Sequence, residues 1–593
     1  MKQEKRWELI EKAPEEIYKK FEDLPKTVVD LLYARNINTQ EEAETFLYPE
    51  YSRDVHDPFL FKEMKKSVKR IFKAIEKKEK IAVYGDYDAD GVSGATILFS
   101  VLTAIGAEKN NIIVYLPHRE TDGYGINNKA IEKLKAEGAS LLISCDCGIS
   151  NTPEVAFAKK QKIDVIITDH HSIPDEIPDA YSILHPKLPE ETYPDKNLAG
   201  GAVAFKLAQG LLHEHKKSGE ELSTGNSHEA EEKWLLDMVA IASVADMVPL
   251  IGESRTLTKY GLLVLSKTRR IGMQKLLLEA KLMNNDGTLK NEITADTIGY
   301  KIAPRINAAG RLVHANVAYK LMITKDPIEA VDLAFTLEQN NKERQKITEK
   351  AIKEAEEQIK KEKEEKPVLF VINKKWPSGI VGLIASRLKE SYSKPAVAMT
   401  ERDASIVGSG RSVSHFNFIE SIQESSEFFS KFGGHPMAFG FSLKEEELLE
   451  NMKKALYTKF EEKTKGIDTT PILKIDAEMR LSEINWSLYD ELEHFAPFGK
   501  GNEKPLFASK GVKLKKLTPL GKDKKHAKLQ FEGDNRALKM AIIWNYFTEE
   551  YYKKFKEGDE VDIAYDLEVN EWNGNRELRI RVVDMKKHEP RDT

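Results

Sequence analysis

Polar positions dominate the first eighty residues, broken by apolar positions every three or four, as in FKEMKKSVKRIFKAIEKKEK. That spacing predicts amphipathic helices with a solvated Lys/Glu face. From residue 81 the pattern changes. Short apolar runs, IAVY (81–84), IIVYL (112–116), LLISC (141–145) and DVIIT (164–168), alternate with helix-like segments such as VSGATILFSVLTAIG and NNKAIEKLKAEG. Apolar runs joined by helical crossovers predict a parallel sheet covered on both faces. Such sheets carry their chemistry at the C-terminal ends of the strands. The stretch 229–265 is mostly helical, and 327–365 reads as one long helix, polar almost all round and stopped by Pro367. A helix of that kind bridges domains. PVLFVI (367–372) and KPAVAMT (394–400) then open a second α/β unit, and beyond Pro471 short strands and frequent turns suit a small barrel. The expected order is a helical segment (1–80) packed on an α/β domain (81–326), a connecting helix (327–366), a second α/β domain (367–465) and a barrel (471–593).

Composition narrows the class. At roughly 150 residues per domain, 593 residues fit three to five domains. Lys and Arg (91) against Asp and Glu (96) leave a net charge of −5, so a polyanion must be met by positive charge concentrated locally. VKLKKLTPLGKDKKHAK (512–528) offers seven Lys against one Asp, and Trp544, Tyr546, Phe547, Tyr565 and Trp572 follow it. Basic residues interleaved with aromatics suit single-stranded nucleic acid through phosphate attraction and base stacking. No window approaches the roughly 18 apolar residues of a membrane span, and MKQEKRWELI lacks the apolar core of a signal peptide. Two cysteines exclude a disulfide scaffold. A cytoplasmic protein without a membrane partner is expected.

Five motifs carry the chemistry: GDYDADGVSG with Asp86, Asp88 and Asp90; SCDCGIS with Asp146; TDHH with Asp169, His170 and His171; ASVADMVPL with Asp246; and GGHPMAFG with Gly433, Gly434 and His435. One Asp after a strand is a helix cap or turn residue. Acids gathered at several strand ends repel one another unless compensated. Carboxylates with one or two imidazoles suit Mn²⁺ or Mg²⁺. Cys145 and Cys147 flank Asp146, and strand alternation sends both to the face opposite it, as packing residues rather than zinc ligands. A two-cation carboxylate site implies phosphodiester or phosphomonoester hydrolysis. The absence of GxxxxGK[ST] argues against a P-loop NTPase.

GDYDADG, SCDCGIS, TDHH and Asp246 resemble the four motifs of the DHH phosphoesterase superfamily, and GGHPMAFG resembles its DHH-associated domain. LPHRETDGYGIN (116–127), YPDKNLAGGAVAFKL (193–207), IAPRINAAGRL (302–312), GIVGLIASRL (379–388), GSGRS (408–412) and APFGKGNEKPLF (496–507) are similar to the RecJ single-stranded-DNA exonucleases, over nearly the whole chain. The fold so implied is α/β: a parallel-sheet DHH domain, a long helix, a second α/β (DHH-associated) domain and a C-terminal OB-like β-barrel. The activity implied is metal-dependent 5′→3′ removal of 5′-mononucleotides from single-stranded DNA, in repair and recombination, with Mn²⁺ or Mg²⁺. Carried over by motif, the metal ligands are Asp88, Asp90, Asp146, His170 and Asp246, with His171 beside them as a ligand-shell or proton-handling group and Asp86 as an additional candidate. Two positions depart from the pattern. Tyr84 stands where phosphatase members carry a His, leaving Asp86 or water to fill the gap, and Pro377 stands where RecJ proteins commonly have a His.

Phosphate recognition falls to Arg119, Arg305, Arg311 and Arg411, since guanidinium meets phosphate bidentately. Ser409 and the glycines around Arg411 add exposed backbone N–H donors, and Gly433 and Gly434 let backbone approach a ligand before His435. The expected arrangement has the second α/β unit facing the metal site across a cleft. Ser409, Arg411 and His435 hold the 5′-phosphate there, water attacks the next phosphorus, and the 3′-oxygen leaves. The competing readings are a small-oligonucleotide or cyclic-dinucleotide phosphodiesterase, whose relatives lack a barrel module, and a non-catalytic DHH scaffold, which typically loses acidic ligands. Single-strand-binding protein, a RecQ-type helicase and a monomeric state are expected from the resemblance.

Overall fold

The computed structural model describes residues 4–362, 364–403, 405–572 and 575–589. It resolves into two compact units: Glu41–Arg344 with Phe495–Glu503, and the remainder, namely residues up to 40, Gln345–His494 and Lys504 onward. Strand β1 (Arg6–Leu9) opens the chain and pairs in parallel with β12 (Ile472–Ile475), and the Trp7 indole donates to Asp584 at 2.8 Å. The opening segment is therefore neither wholly helical nor confined to the first α/β domain. Its described residues up to Gln40 belong with the C-terminal module, where RWEL adds a strand.

The first unit is built on five parallel strands: β2 (Lys80–Tyr84), β3 (Ile112–Tyr115), β4 (Ala139–Cys145), β5 (Asp164–Thr168) and β6 (Ser182–Leu184), ordered β3-β2-β4-β5-β6. The apolar runs of β2, β4, β5 and β6 are buried and that of the edge strand β3 partly so, and helices α1 (Ala89–Ala104), α2 (Gly200–Ser218) and α3 (Leu236–Ala245) share one core cluster with the sheet. Burial of this kind contributes about 1.5–3 kcal/mol per large aliphatic side chain. Two further helices, α4 (Gly252–Ser266) and α5 (Ala303–Leu312), complete what the site needs. The strand ends carry the acidic motifs. Asp146 takes φ +62° and ends β4. Cys145 consequently enters the core on the α1 side while Cys147 packs in the opposite cluster with Tyr84, so the two cysteines do not share a face.

The long polar stretch forms one helix, α6 (Pro327–Lys361). The second unit holds a five-stranded mixed sheet ordered β10-β11-β9-β8-β7: β7 (Leu369–Ile372), β8 (Ala396–Arg402), β9 (Ser405–Arg411), β10 (Phe429–His435) and β11 (Ala438–Leu443), with α7 (Val381–Tyr392) packed against it. After β12 comes the short β13 (Ala477–Glu478). Then β14 (Phe507–Leu520), β15 (His526–Glu532), β16 (Leu538–Ile543), β17 (Glu560–Trp572) and β18 (Asn575–Lys587) close a five-stranded barrel through the β14–β17 pairing. Closure removes the exposed edges of an open sheet. Tyr546 and Tyr565 are buried in the barrel, so they are packing residues; Trp544 is half exposed with its ring edge against His526, and the Trp572 side chain lies outside the described residues. Among the described residues no helix is long and apolar enough to cross a membrane.

Candidate active site

Three strand ends and one helix end converge. After β2 the chain runs through Asp86 to Asp88, whose carboxylate caps α1 by accepting from the N–H groups of Asp90 (3.0 Å) and Gly91 (3.1 Å). A Cβ on Gly91 would sit 2.4 Å from the Asp86 nitrogen, so only glycine lets the helix start this close to the loop. Asp90 lies in the first turn of α1 and accepts from Gly200 (2.9 Å) and Gly201 (2.6 Å) at the start of α2, which fixes its carboxylate. Asp146 follows β4, His170 and His171 follow β5, and Asp246 closes the C-terminus of α3.

The result is three overlapping groups, Asp86/Asp88/Asp146, Asp90/His170/Asp246 and Asp146/His170/His171, each with its ligand atoms within 4.8 Å of one another. His170 Nε2 lies 3.2 Å from Asp146, 3.6 Å from Asp246 and 3.8 Å from Asp90. Asp86 Oδ1, Asp146 Oδ1 and His170 Nε2 are all buried without a hydrogen-bond partner. Buried polar atoms are normally paired, and three orphans aimed into one acidic cluster fit divalent cations. The electrostatics agree. Burial, then Asp88, pushes the Asp86 carboxyl well up; burial, then Asp246 and Asp88, raises Asp90; burial, then Asp90, raises Asp146. Asp246 rises to about 6, from burial and then Asp88. Burial, then the neighbouring His171, drops His170 to about 3, leaving a neutral imidazole able to donate a lone pair.

His171 behaves oppositely. Burial disfavours its charge, but Asp169, 2.8 Å from Nδ1, outweighs burial and lifts it to about 9. Asp169 is itself buried and held down, against the cost of burial, by His171 and the Ile149 N–H. Tyr124, which sequence reasoning passed over although it stands in the GYGIN loop, reaches the Asp146 carbonyl (3.2 Å) and His171 Nδ1 (3.0 Å). Tyr84 is fully buried and its hydroxyl donates to Gly125 O at 2.9 Å, so it braces that loop. Asp86 is the residue near it that enters the cluster.

The arginines divide. Arg119 lies 4.8 Å over the Tyr87 ring and, with Asp86 nearby, stays beside the cluster; Arg311 acts electrostatically on the same tyrosine. Arg305 is different from expectation. It is bound to Glu338 of α6 (2.7 Å) and to Lys301 O (2.6 Å), a half-hidden tie to the long helix. Asn307 of the same PRINAAGR motif, also missed, accepts from Ala89 N at 2.7 Å and locks α5 to the start of α1.

In the second unit Ser409 faces Gly440 and Arg411 faces Ala438 across β9 and β11, while Gly433 and His435 face those same residues across β10. Directly opposed residues share a face, so Ser409, Arg411, Gly433 and His435 line one side of the sheet. The guanidinium donates to Ser409 Oγ at 2.8 Å, and a Cβ on Gly382 would stand 2.9 Å from it, which puts the first turn of α7 on the same side. Trp376 is buried, its indole donating to Glu354 (2.8 Å), and Pro377 leads into the turn before α7.

A parallel-sheet unit with a buried carboxylate–imidazole cluster defines a metal-dependent phosphoesterase of the DHH type. Family models agree by stretch: the DHH family N-terminal domain over 80–242, the DHHA1 domain over 364–462 and the RecJ OB domain over 475–584. The chain is 34% identical to the single-stranded-DNA-specific exonuclease RecJ of Bacillus subtilis, over 98% of this chain and 70% of that one. It is 30% identical to the RecJ of Salmonella typhimurium, over 95% and 96% of the two chains. It belongs to the RecJ family of single-stranded-DNA-specific exonucleases. The fold is shared with the Mn²⁺ complex of RecJ from Thermus thermophilus, with a TM-score of 0.80 at 24% identity, covering 98% of this chain and 80% of that one.

Proposed function

We infer that this chain is a metal-dependent exonuclease that degrades single-stranded DNA from the 5′ end to 5′-mononucleotides. The observation that carries the reading is the convergence of three partnerless buried ligand atoms in the motif set of this family. Manganese or magnesium is the cofactor, as in the two solved Thermus structures, and single-stranded DNA is the substrate partner. Asp86, Asp88, Asp90, Asp146, His170 and Asp246 hold the cations. When bound, a cation pair supplies an activated water and stabilises charge on the leaving oxygen.

The protein residues do the rest. Gly200 and Gly201 orient Asp90 through their N–H groups. Asp169 keeps a proton on His171, which offers it to the departing 3′-oxygen. Arg119 and Arg311 receive backbone phosphates, and the Ser409–Arg411–His435 row with Gly433 and Gly434 takes the 5′-terminal phosphate. The barrel's exposed lysines and Trp544 retain the strand. The reading includes a role in repair and recombination, a monomer in the cytoplasm, and single-strand-binding protein and a RecQ-type helicase as partners. The test uses single-stranded DNA labelled at either end, with Mn²⁺, Mg²⁺ or EDTA. Metal-dependent mononucleotide release from the 5′ end is expected. Release from the 3′ end, tight binding without cleavage, or cleavage of only very short oligonucleotides would each overturn it.

A further inference from the structure

Residues 495–503, from the APFGKGNE motif, lie between two segments of the second unit and yet pack as part of the first. They are held as a strap. Arg255 on α4, 2% exposed, donates from Nη1 to the carbonyls of Phe495 (2.8 Å) and Pro497 (3.3 Å) and from Nη2 to those of Ala496 (2.9 Å) and Phe46 (3.0 Å). Asn502, also buried, donates to Phe495 O (2.7 Å) and Pro497 O (2.9 Å). Gly499 and Asn502 close a turn on each other, leaving Lys500 and Gly501 at its tip. The tip lands on the segment just after Asp246: Leu250 N–H donates to Lys500 O at 2.8 Å, and a Cβ on Gly501 would stand 3.1 Å from Pro249.

Lys500 is exposed and has no ion-pair partner among the described residues. Lys187, which follows β6, is similarly without a carboxylate partner and donates to His170 O at 2.6 Å. Both lysines border the same cluster: Lys187 is bonded to the carbonyl of His170, and Lys500 is carried by the strap onto the segment that follows Asp246. Two cations without a salt-bridge partner among the described residues, at the edge of a metal-collecting site, are placed to meet an entering anion. A buried arginine, a buried asparagine, a backbone bond and the Phe495 ring buried edge-on to Phe46 together fix the backbone beneath this exposed lysine.

We propose that Lys500 is a substrate-positioning residue, delivered by the strap to the Asp246 edge of the carboxylate cluster, where with Lys187 it receives a non-bridging phosphate oxygen of the DNA strand. The proposal rests on the exonuclease reading above. Lys500→Met, Lys500→Arg and Lys500→Glu change only the exposed side chain and keep the carbonyl that Leu250 binds. For Lys500→Met the KM for single-stranded DNA rises about three- to tenfold, with the change in KM rather than in kcat. The slope of log KM against log salt falls by about 0.7, the value for one phosphate contact on a single strand. Lys500→Glu raises KM further, and Lys500→Arg restores both KM and the slope. An unchanged KM and salt slope in Lys500→Met overturn the proposal, even if the Mn²⁺ midpoint of thermal stabilisation moves. Anisotropy of a fluorescein-labelled strand in EDTA reads the same contact without turnover. If the unsubstituted protein cleaves nothing, the exonuclease reading fails by itself, and equal strand affinity of Lys500→Met would sink the lysine's role separately.

Discussion

Replacing Asp146 with Asn is expected to stabilise the metal-stripped protein while abolishing its activity. Asn tolerates the φ of +62° at this position, and the substitution removes one of several mutually repelling buried carboxylates. Asp246 sets an upper bound on that repulsion: its pKa rises from 3.8 to about 6, by burial first and by Asp88 second. At 1.36 kcal/mol per unit this is about 3 kcal/mol between the two protonation states. Relieving a charge at the centre of the cluster should therefore return about 1–3 kcal/mol to the stripped catalytic unit, seen as roughly 2 °C of melting temperature per kcal/mol. The sign with pH is fixed by the raised value. Stability from the protonated Asp246 is present below about 3.8 and lost as pH rises through about 6. The stripped parent protein should thus weaken from pH 4 to pH 7, and Asp146→Asn should weaken less. Saturating Mn²⁺ reverses the order: at 100 times its Kd a cation stabilises the parent by about 2.7 kcal/mol, and the variant gains little. Melting curves in EDTA and in a Mn²⁺ series, at several pH values, measure all of this. A variant that melts below the parent in EDTA at pH 7 would refute the account of the cluster as a charge-strained cation site.

Three further perturbations probe other parts of the molecule. Arg255→Ala removes the guanidinium from the Phe46 and Ala496 carbonyls and leaves those of Phe495 and Pro497 to Asn502 alone. It should cost about 3 kcal/mol or more and open 495–503 to limited proteolysis, an opening that must be absent if another contact holds the strap. Lys206→Met strands the buried Glu253, now 2.6 Å from the ammonium. A loss of about 3–5 kcal/mol in urea unfolding is expected, with partial recovery in the Lys206→Met/Glu253→Gln double variant; no recovery would mean that lost packing, not unpaired charge, is the cause. Arg411→Gln should raise KM roughly tenfold or more for a 5′-phosphorylated strand and leave a 5′-hydroxyl strand nearly unaffected. Equal loss on both substrates would place the 5′-phosphate elsewhere.

The parallel sheet was legible because IAVY, LLISC and DVIIT are apolar on both faces, and the acidic motifs stand directly after them. The cation cluster was legible for the same reason: strand ends in one sheet meet at one edge. Other features depended on distant partners. RWEL carries no strand signal of its own, and its pairing segment lies over four hundred residues away. Nothing in PRINAAGR tells which of its two arginines turns to Glu338 and which stays near Tyr87, since that depends on where α6 passes. The two cysteines around Asp146 read as one alternating strand; a single left-handed residue between them parts their side chains. The strap was visible as a motif, but its anchor, Arg255, sits in an ordinary helical stretch with no outward sign of burial.

The strap also imposes an order on manufacture. A ribosome adding about 5–20 residues per second takes roughly 8–30 s to pass from Arg344 to Phe495. During that interval the catalytic unit has all its acidic ligands and nearly all its core, while Arg255 waits for three of its four carbonyl partners. The nuclease is thus finished late, by a peptide that arrives only after the second α/β domain has been made. A polypeptide interrupted before Phe495 would carry a full set of cation ligands on an unlatched frame.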